Sequence, residues 1–178
     1  MSRKLIAYIF AILFAALALG AAGEGSLARN AVPAGSANAS EWHLVAKVID
    51  GDTIDVLMDG KKVRVRLIGL DTPEIVDPRK PVQCFAREAS DKAKQILSGQ
   101  SVRLETDESQ DTYDKYGRLL AYVYLSDGTN FNEYMIAEGY GHEYTYRLPY
   151  KYQSEFKAAE KEAREAKKGL WADGVCDS

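Results

Sequence analysis

Hydrophobic and polar residues alternate with a period of two along five stretches of the chain. Each stretch is rich in valine, isoleucine or leucine, and turn-forming residues lie close to several of its ends. This period is typical of β-strands that bury one face. We therefore predict strands at residues 43–49, 53–58, 61–70, 101–106 and 119–125. Between the second and third stretches, Asp59-Gly60 is a dipeptide typical of a two-residue hairpin turn.

Three other segments show the spacing of three or four residues that is typical of amphipathic helices. Residues 86–97 carry an apolar face and end shortly before Gly99, and residues 131–138 end at Gly139. A glycine just beyond the last turn commonly ends a helix. The third predicted helix ends before Gly169, and its apolar face consists of Tyr152, Phe156, Ala159, Ala163 and Ala166.

Five strands with helices between and after them predict an α+β fold. Their number and order fit a five-stranded Greek-key β-barrel of the oligonucleotide/oligosaccharide-binding (OB) type, with about three α-helices. We assign this domain to residues 42–174. Because OB-folds bind many kinds of ligand, the fold alone does not predict the function.

The chain begins with a short basic head, an almost wholly apolar run at residues 5–18 and small residues after that run. This pattern predicts a secretory signal peptide at residues 1–22. The run is short for a membrane span, so an uncleaved anchor is the less favoured alternative. Residues 23–41 are mostly small and polar and predict a flexible linker, and residues 175–178 a C-terminal tail. We expect a secreted or periplasmic protein without stable membrane association once the signal is cleaved.

The composition is that of one globular domain. Apolar residues make up 46% of the 178 residues and charged residues 28%, both ordinary values. The formal net charge of -3 provides no global basic field, which argues against stable coating of a nucleic acid but not against an enzyme that releases its polymer. No H-E-x-x-H, G-x-S-x-G or G-x-x-x-x-G-K-[ST] motif occurs, so zinc-protease and serine-triad chemistry are disfavoured.

Two cysteines, Cys84 and Cys176, lie far apart in the sequence. Export to an oxidising compartment favours a disulfide between them. In the chain-entropy model, closing so long a loop would stabilise the fold by roughly 4 to 5 kcal/mol. The alternative is two unpaired thiols, one in a loop and one in the tail.

Acidic residues are concentrated at one end of the predicted hairpin. Asp50 and Asp52 lie just before its first strand, and antiparallel pairing brings Asp52 towards Asp71 in an offset register that needs curvature or a bulge. Two aspartates and the backbone carbonyl of Thr72 are oxygen donors that calcium prefers, although water and a phosphate oxygen would have to complete the shell. Ligand type alone also permits magnesium or manganese. Alternatively, these aspartates are ordinary turn residues.

Cationic and aromatic side chains lie near these acidic residues. Alternation along residues 61–70 places Arg66 on the outer face of the barrel, in the strand that leads to Asp71. Residues 111–118 form a second polar and aromatic stretch. Tyr144 and Tyr146 lie near a further arginine, and such rings either stack on bases or cap the core.

Three ordered motifs together resemble the staphylococcal nuclease (thermonuclease) family. They are V-I-D-G-D-T at residues 48–53, R-L-I-G-L-D-T-P-E at residues 66–74 and D-K-Y-G-R at residues 114–118. The resemblance covers about residues 43–172, essentially the whole predicted domain. Residues 77–83 and the two cysteines depart from the family pattern.

The resemblance implies a phosphodiesterase on an OB barrel that requires one calcium ion. It implies calcium ligands at the side chains of Asp52 and Asp71 and at the backbone carbonyl of Thr72. Asp50 would be a supporting carboxylate behind these ligands. The implied substrates are DNA and RNA, and the implied products are fragments that end in a 3′-phosphate.

The resemblance also implies which residues act on the phosphodiester. Glu74 would be the general base, and Arg66 and Arg118 would bind the phosphate. The physical chemistry is consistent, because two guanidinium groups can each bind phosphate oxygens bidentately while a carboxylate takes the proton of the attacking water. The implied substrate-binding residues are Lys115, Tyr116, Tyr144 and Tyr146.

Two alternatives remain from the sequence. One is a nucleic-acid-binding OB module without catalysis, in which Arg66, Glu74 or Arg118 would be replaced, yet all three are present. The other is a membrane-anchored surface nuclease that retains residues 5–18. For the cleaved protein we expect a monomer.

Overall fold

The computed structural model describes residues 41–75 and 81–176 of the 178-residue chain. The predicted signal peptide at residues 1–22 lies outside the described residues, as does the predicted linker apart from its last residue. Residues 177 and 178 of the predicted tail also lie outside them. Among the residues that the structure describes, no helix has the length and apolar character needed to cross a membrane.

Five of the strands close into a barrel, which confirms the predicted α+β fold of the OB type. Its order is β1-β2-β3-β6-β5, in which the β3–β6 pair is parallel and the other pairs are antiparallel. The strand bounds are β1 Trp42–Asp50, β2 Thr53–Met58, β3 Lys61–Leu67, β4 Leu70–Asp71, β5 Ser101–Glu105, β6 Leu119–Tyr124 and β7 His142–Glu143. Strands β4 and β7 form a separate two-stranded sheet.

The barrel interior is filled by aliphatic side chains that recur at every second position, as the sequence pattern predicts. Burying these side chains away from water is the main favourable contribution to folding. Polar residues between them reach the surface or pair across strands, as Asp55 does with Arg64 at 2.8 Å. The buried interior residues are Ile54, Val56, Val65, Leu67, Val102, Leu104, Ala121 and Val123.

The third predicted strand, residues 61–70, is too long, because β3 ends at Leu67. Ile68 and Gly69 form a turn, and Gly69 adopts φ +76°, where a Cβ would lie 2.7 Å from the ring of Tyr150. A side chain at this position would therefore clash as well as strain the backbone. Beyond the turn the chain continues as β4, which leaves the barrel and pairs with β7.

Of the two features expected for the offset register, curvature or a bulge, the hairpin strands β2 and β3 contain no bulge. Strands β2 and β3 pair in continuous register from Thr53 opposite Arg66 to Met58 opposite Lys61. The Ile68-Gly69 turn, and not a bulge, takes up the offset between Asp52 and Asp71. Register irregularities occur instead between β1 and β2.

Three helices pack around the barrel, as predicted. They are α1 Ala86–Leu97, α2 Phe131–Ala137 and α3 Gln153–Glu165, and a short 3-10 helix follows at Gly169–Trp171. Fully buried Asn132 on α2 donates a hydrogen bond to the carbonyl of Ile68 (2.8 Å) and accepts one from the Val123 backbone (3.0 Å). This amide therefore fixes α2 to the barrel at the point where β3 ends.

In the structure Cys84 and Cys176 form a disulfide, with their Cα atoms 5.7 Å apart. Cys84 lies just before α1, and Cys176 is the last described residue. The bond therefore attaches the C-terminal segment to the start of α1.

Oxidised protein should contain close to zero free thiols when they are counted in denaturant without reductant. The Cys84→Ser/Cys176→Ser variant should be less stable by roughly 4 kcal/mol, because the unfolded chain regains the freedom that the long loop closure removes. Denaturant unfolding of oxidised wild-type protein and the variant measures this difference. Two reactive thiols in native wild-type protein would contradict the disulfide.

Candidate active site

Asp50, Gly51 and Asp52 form the tight turn between β1 and β2, beside the chain that leaves β3. Both aspartates are buried. A Cβ added to Gly51 would lie 2.7 Å from Cγ2 of Thr72, so only a glycine lets the two segments approach this closely. The turn and the segment just after β4 are thereby packed against each other.

The carboxylate of Asp52 binds the segment after β4 directly. Its Oδ2 atom accepts hydrogen bonds from the backbone N–H of Thr72 (3.0 Å) and from its hydroxyl (3.2 Å), and its Oδ1 atom accepts one from the hydroxyl of Thr53 (2.9 Å). Asp71 is the residue just before Thr72. The structure therefore brings together Asp52, Asp71 and Thr72, the three predicted metal ligands, although Asp52 and Thr72 lie 20 positions apart in the sequence.

Arg66 joins the two predicted aspartate ligands. Its Nη2 atom lies 2.8 Å from Oδ1 of Asp71 and 3.2 Å from Oδ2 of Asp52, and its Nη1 atom donates to the carbonyl oxygens of Leu67 and Leu70. Arg64, two residues earlier, pairs with Asp55 instead. Of the two arginines on β3, Arg66 is therefore the one that contacts the predicted metal ligands.

Negative charges crowd this end of the barrel. Burial, with the neighbouring charges of Asp52 and Glu74, raises the pKa of Asp50 to about 7, although hydrogen bonds from the Gly51 and Ile75 backbones act in the opposite direction. Burial also raises the pKa of Asp71, which Asp52 and Glu74 raise further while Arg66 and His142 lower it. Glu74 therefore lies close enough for its charge to act on both aspartates.

These residues fit a bound divalent cation. Arg66 contacts Asp52 and Asp71, and Asp50 and Glu74 lie near these aspartates. Burial, together with repulsion between the carboxylates, makes the ionised state of Asp50 and Asp71 unfavourable. A cation of charge +2 would lower this cost, and carboxylate and carbonyl oxygens are the donors that calcium binds. Among the described residues, no group of three or more histidine, cysteine, aspartate or glutamate side chains is arranged so that it could hold a metal ion by itself. The predicted set is not of this kind, because one of its three protein ligands is a backbone carbonyl, and it stays a prediction.

Arg118 is held by a residue of its own loop. Its Nε atom lies 2.5 Å from Oδ2 of Asp114, whose Oδ1 atom accepts hydrogen bonds from the backbone N–H groups of Tyr116 and Arg118. Although burial alone would raise the pKa of Asp114, these hydrogen bonds lower it. Asp114 belongs to the D-K-Y-G-R motif without a predicted role, and in the structure it binds the side chain and the backbone of Arg118.

A cleft of about 800 Å³ brings the two predicted phosphate-binding arginines together. Arg66 and Asp71 line it, and so do Arg118 and the four predicted substrate-binding residues, Lys115, Tyr116, Tyr144 and Tyr146. The parallel pairing of β3 with β6 places Arg66 opposite Leu120, and Arg118 lies two residues before Leu120, on the same face. This volume is in the range of clefts that bind small ligands or segments of polymers.

The predicted aromatic residues line the cleft with exposed rings. Tyr116 is 72% exposed, Tyr144 44% and Tyr146 59%, so capping of the core is not their role. The Tyr144 and Tyr146 ring centroids are 6.5 Å apart, and Arg147 lies 5.1 Å from the ring centroid of Tyr146. Exposed rings can stack on flat ligands, and the stacking role of these tyrosines stays a prediction.

A profile of the family described as "Staphylococcal nuclease homologue" matches residues 64–173. The chain belongs to the staphylococcal nuclease family. It is 48% identical to a thermonuclease of Staphylococcus hyicus, over 79% of this chain and 82% of that protein. It is 46% identical to a thermonuclease of Staphylococcus intermedius, over 74% and 76% of the two chains. It is also 41% identical to Endonuclease YncB of Bacillus subtilis, over 71% of this chain and 59% of that protein.

The resemblance inferred from three short motifs is thereby confirmed, and the protein is a nuclease and hence a hydrolase. Asp71, both predicted arginines and the exposed tyrosines line one cleft. The roles of the individual residues stay predictions.

The sequence analysis missed Asp107, which fixes one wall of the nuclease cleft. Its Oδ2 atom accepts hydrogen bonds from the Tyr122 hydroxyl (2.6 Å) and the Lys151 backbone (2.8 Å), and its Oδ1 atom accepts from Ser109. Asp107 thus connects the loop after β5 with β6 and with the segment that leads into α3. No motif marks this residue, because its partners are distant in the sequence.

Asp107→Asn should lower the free energy of unfolding at pH 7 by about 1 to 3 kcal/mol, because the amide cannot accept at both oxygen positions. Burial alone would raise the pKa of Asp107, but its hydrogen bonds lower it below the ordinary value. The stabilisation is therefore present above the unfolded-state pKa of about 3.9 and disappears as the pH falls through the folded-state pKa. Denaturant unfolding from pH 7 to 2.5 measures it.

Asp91→Asn is the matched control, because Asp91 is an exposed helical residue with only a surface ion pair to Lys94. It should change stability little at any pH. A deficit of Asp107→Asn that stays constant down to pH 2.5 would contradict the assignment.

Proposed function

We propose that this nuclease is an exported, calcium-dependent, monomeric endonuclease that hydrolyses phosphodiester bonds of DNA and RNA to fragments ending in a 3′-phosphate. The observation that carries the proposal is one cleft lined by Arg66, Arg118 and Asp71, with Asp52 and Glu74 beside it. Cations for a phosphate and oxygen donors for a metal ion meet at one place there.

Asp52, Asp71 and the backbone carbonyl of Thr72 would hold the calcium ion, and Asp50 would support them from the β1–β2 turn. When bound, the ion supplies a Lewis acid that polarises and orients the phosphate. The crowding of negative charge around Asp50 and Asp71 supports this assignment.

Glu74 would take a proton from the water that attacks phosphorus. The bond from phosphorus to the 5′-oxygen then breaks, the leaving oxygen takes up a proton, and the phosphate remains on the 3′-oxygen. Arg66 and Arg118 would donate hydrogen bonds to the non-bridging oxygens, where negative charge increases during the attack. Asp114 supports this role of Arg118, because it fixes the guanidinium group before substrate binds.

Lys115, Tyr116, Tyr144 and Tyr146 would bind the nucleotide chain on either side of the reacting phosphate. Lysine and arginine contribute attraction to the phosphates, and exposed rings stack on bases without regard to sequence. Stacking of this kind favours DNA and RNA alike.

Two features support an exported protein. Residues 1–22 have the composition of a signal peptide, and the disulfide between Cys84 and Cys176 is stable in an oxidising compartment. Sequencing the N-terminus of the protein recovered from cells distinguishes a cleaved, soluble nuclease from one that keeps residues 5–18 as an anchor.

Protein lacking residues 1–22 should degrade single-stranded DNA in millimolar calcium. An excess of a calcium chelator should lower the rate at least about a hundredfold, since a Lewis-acid metal contributes several kcal/mol to transition-state stabilisation. Re-addition of calcium should restore the rate, and magnesium at the same concentration is the comparison. Cleavage that continues unchanged in chelator would refute the metal assignment.

Glu74→Gln should lower kcat by about 10² to 10⁴ while nucleotide binding stays nearly constant, because the amide cannot accept a proton. Initial rates and equilibrium binding of a 3′,5′-bisphosphorylated nucleoside measure the two effects. Lost binding with unchanged kcat would show that Glu74 has another role. Glu88→Gln, a change on the exposed side of α1, is the control and should alter neither quantity.

A further inference from the structure

We propose that Gln83 is a positioning residue that fixes the orientation of Glu74. The proposal rests on the general-base role of Glu74 proposed above. The motif analysis assigned no function to Gln83, which lies in the stretch where the sequence departs from the family pattern.

Gln83 binds the backbone of Glu74 on both sides of the Cα atom. Its side-chain Oε1 atom accepts a hydrogen bond from the Glu74 N–H at 2.6 Å, and its own backbone N–H donates to the Glu74 carbonyl at 3.1 Å. Two hydrogen bonds from one residue to the two peptide groups that flank a Cα atom restrict both backbone dihedral angles there.

A third hydrogen bond holds the peptide group that follows the Glu74 Cα atom, the one whose carbonyl Gln83 already binds. The Ile75 backbone donates to the Asp50 carboxyl, which also accepts the Gly51 N–H at 2.8 Å. The peptide groups before and after Glu74 are thus connected to two separate elements, the β1–β2 turn and the segment that enters α1. The direction in which the Glu74 side chain leaves the backbone is set by these contacts.

The backbone of Gln83 is itself held in place by α1 and by the neighbouring disulfide. Its carbonyl accepts the backbone N–H of Ala86, the first residue of α1, at 3.2 Å. The next residue, Cys84, is bound to Cys176 by the disulfide. A positioning group is effective only when its own place is fixed, and both contacts fix the backbone of Gln83.

The exposure of Gln83 makes it possible to distinguish a positioning role from a structural role. Gln83 is exposed, so water can replace its side-chain oxygen as the acceptor for the Glu74 N–H. Removing that oxygen therefore does not leave a buried donor unpaired. Stability should therefore change little. Catalysis should change more, because a shift of about 1 Å in a reacting group costs up to a hundredfold in rate.

Gln83→Met keeps the length of the side chain and removes the acceptor, and Gln83→Glu keeps an acceptor at the same place. In the oxidised full domain with calcium and single-stranded DNA, Gln83→Met should lower kcat by about tenfold while KM stays within about twofold. Gln83→Glu should retain kcat within about threefold. Gln95→Met, on the exposed face of α1, is the matched control and should behave as wild type.

Thermal unfolding of all variants shows that they are folded at the assay temperature. A wild-type kcat for Gln83→Met, or an equal loss in the Met and Glu variants, would overturn the proposal. So would a rise in KM with kcat unchanged, since that change indicates substrate binding and not orientation of the base.

Glu74→Gln, measured in parallel, separates this inference from the proposed function. If Glu74→Gln keeps the wild-type kcat, the general-base role fails, whatever the Gln83 variants do. If Glu74→Gln is inactive and Gln83→Met is fully active, only the positioning role of Gln83 fails. If the general-base role of Glu74 and the positioning role of Gln83 are both correct, Gln83→Met should lower kcat little further in the Glu74→Gln background, because the two residues act through one group.

Discussion

The contact between the Asp52 carboxylate and the Thr72 backbone is the interaction on which the site depends. It joins the β1–β2 turn to the chain that leaves β3, and without it Asp71, Thr72 and Glu74 would have no fixed place relative to Asp52. The same carboxylate pairs with Arg66, so one buried acidic group orders both the neighbouring acids and a cation. These hydrogen bonds and the ion pair with Arg66 offset the repulsion between like charges that would otherwise separate the segments. The nuclease site is thus assembled from residues of three segments of chain.

The sequence predicts the barrel well because its strands bury one face, and a buried face leaves a period of two. Strand β2 has the predicted bounds, and the other barrel strands differ from prediction by few residues, except at the end of β3. There the apolar run continues to Leu70 although the strand ends at Leu67, because Ile68 is buried in a turn. Strands of two residues, such as β4 and β7, are too short to show any period. Their pairing is visible only in three dimensions.

The candidate site is predictable to the extent that local sequence motifs contain it. The motifs contain the predicted acidic residues and both arginines, and in the structure Asp71 and the two arginines line one cleft together with the predicted tyrosines. Residues that orient these groups escape such analysis, because the property that matters is a distant partner. Asp107, for example, binds the backbone of Lys151, which lies 44 positions away. Physical contacts of this kind can be found only once the chain is folded.

The disulfide closes the polypeptide between Cys84 and Cys176 into a covalent ring. Strands β5 and β6 and all three helices belong to that ring, as do Arg118 and Tyr144, whereas Asp52, Asp71 and Glu74 lie on the arm that precedes it. A peptidase that cuts one exposed loop inside the ring therefore releases nothing, because both new ends remain tethered through sulfur. A single nick in the ring thus leaves one covalent molecule, while a cut in the arm between Glu74 and Cys84 would break the covalent link between the acids and the rest.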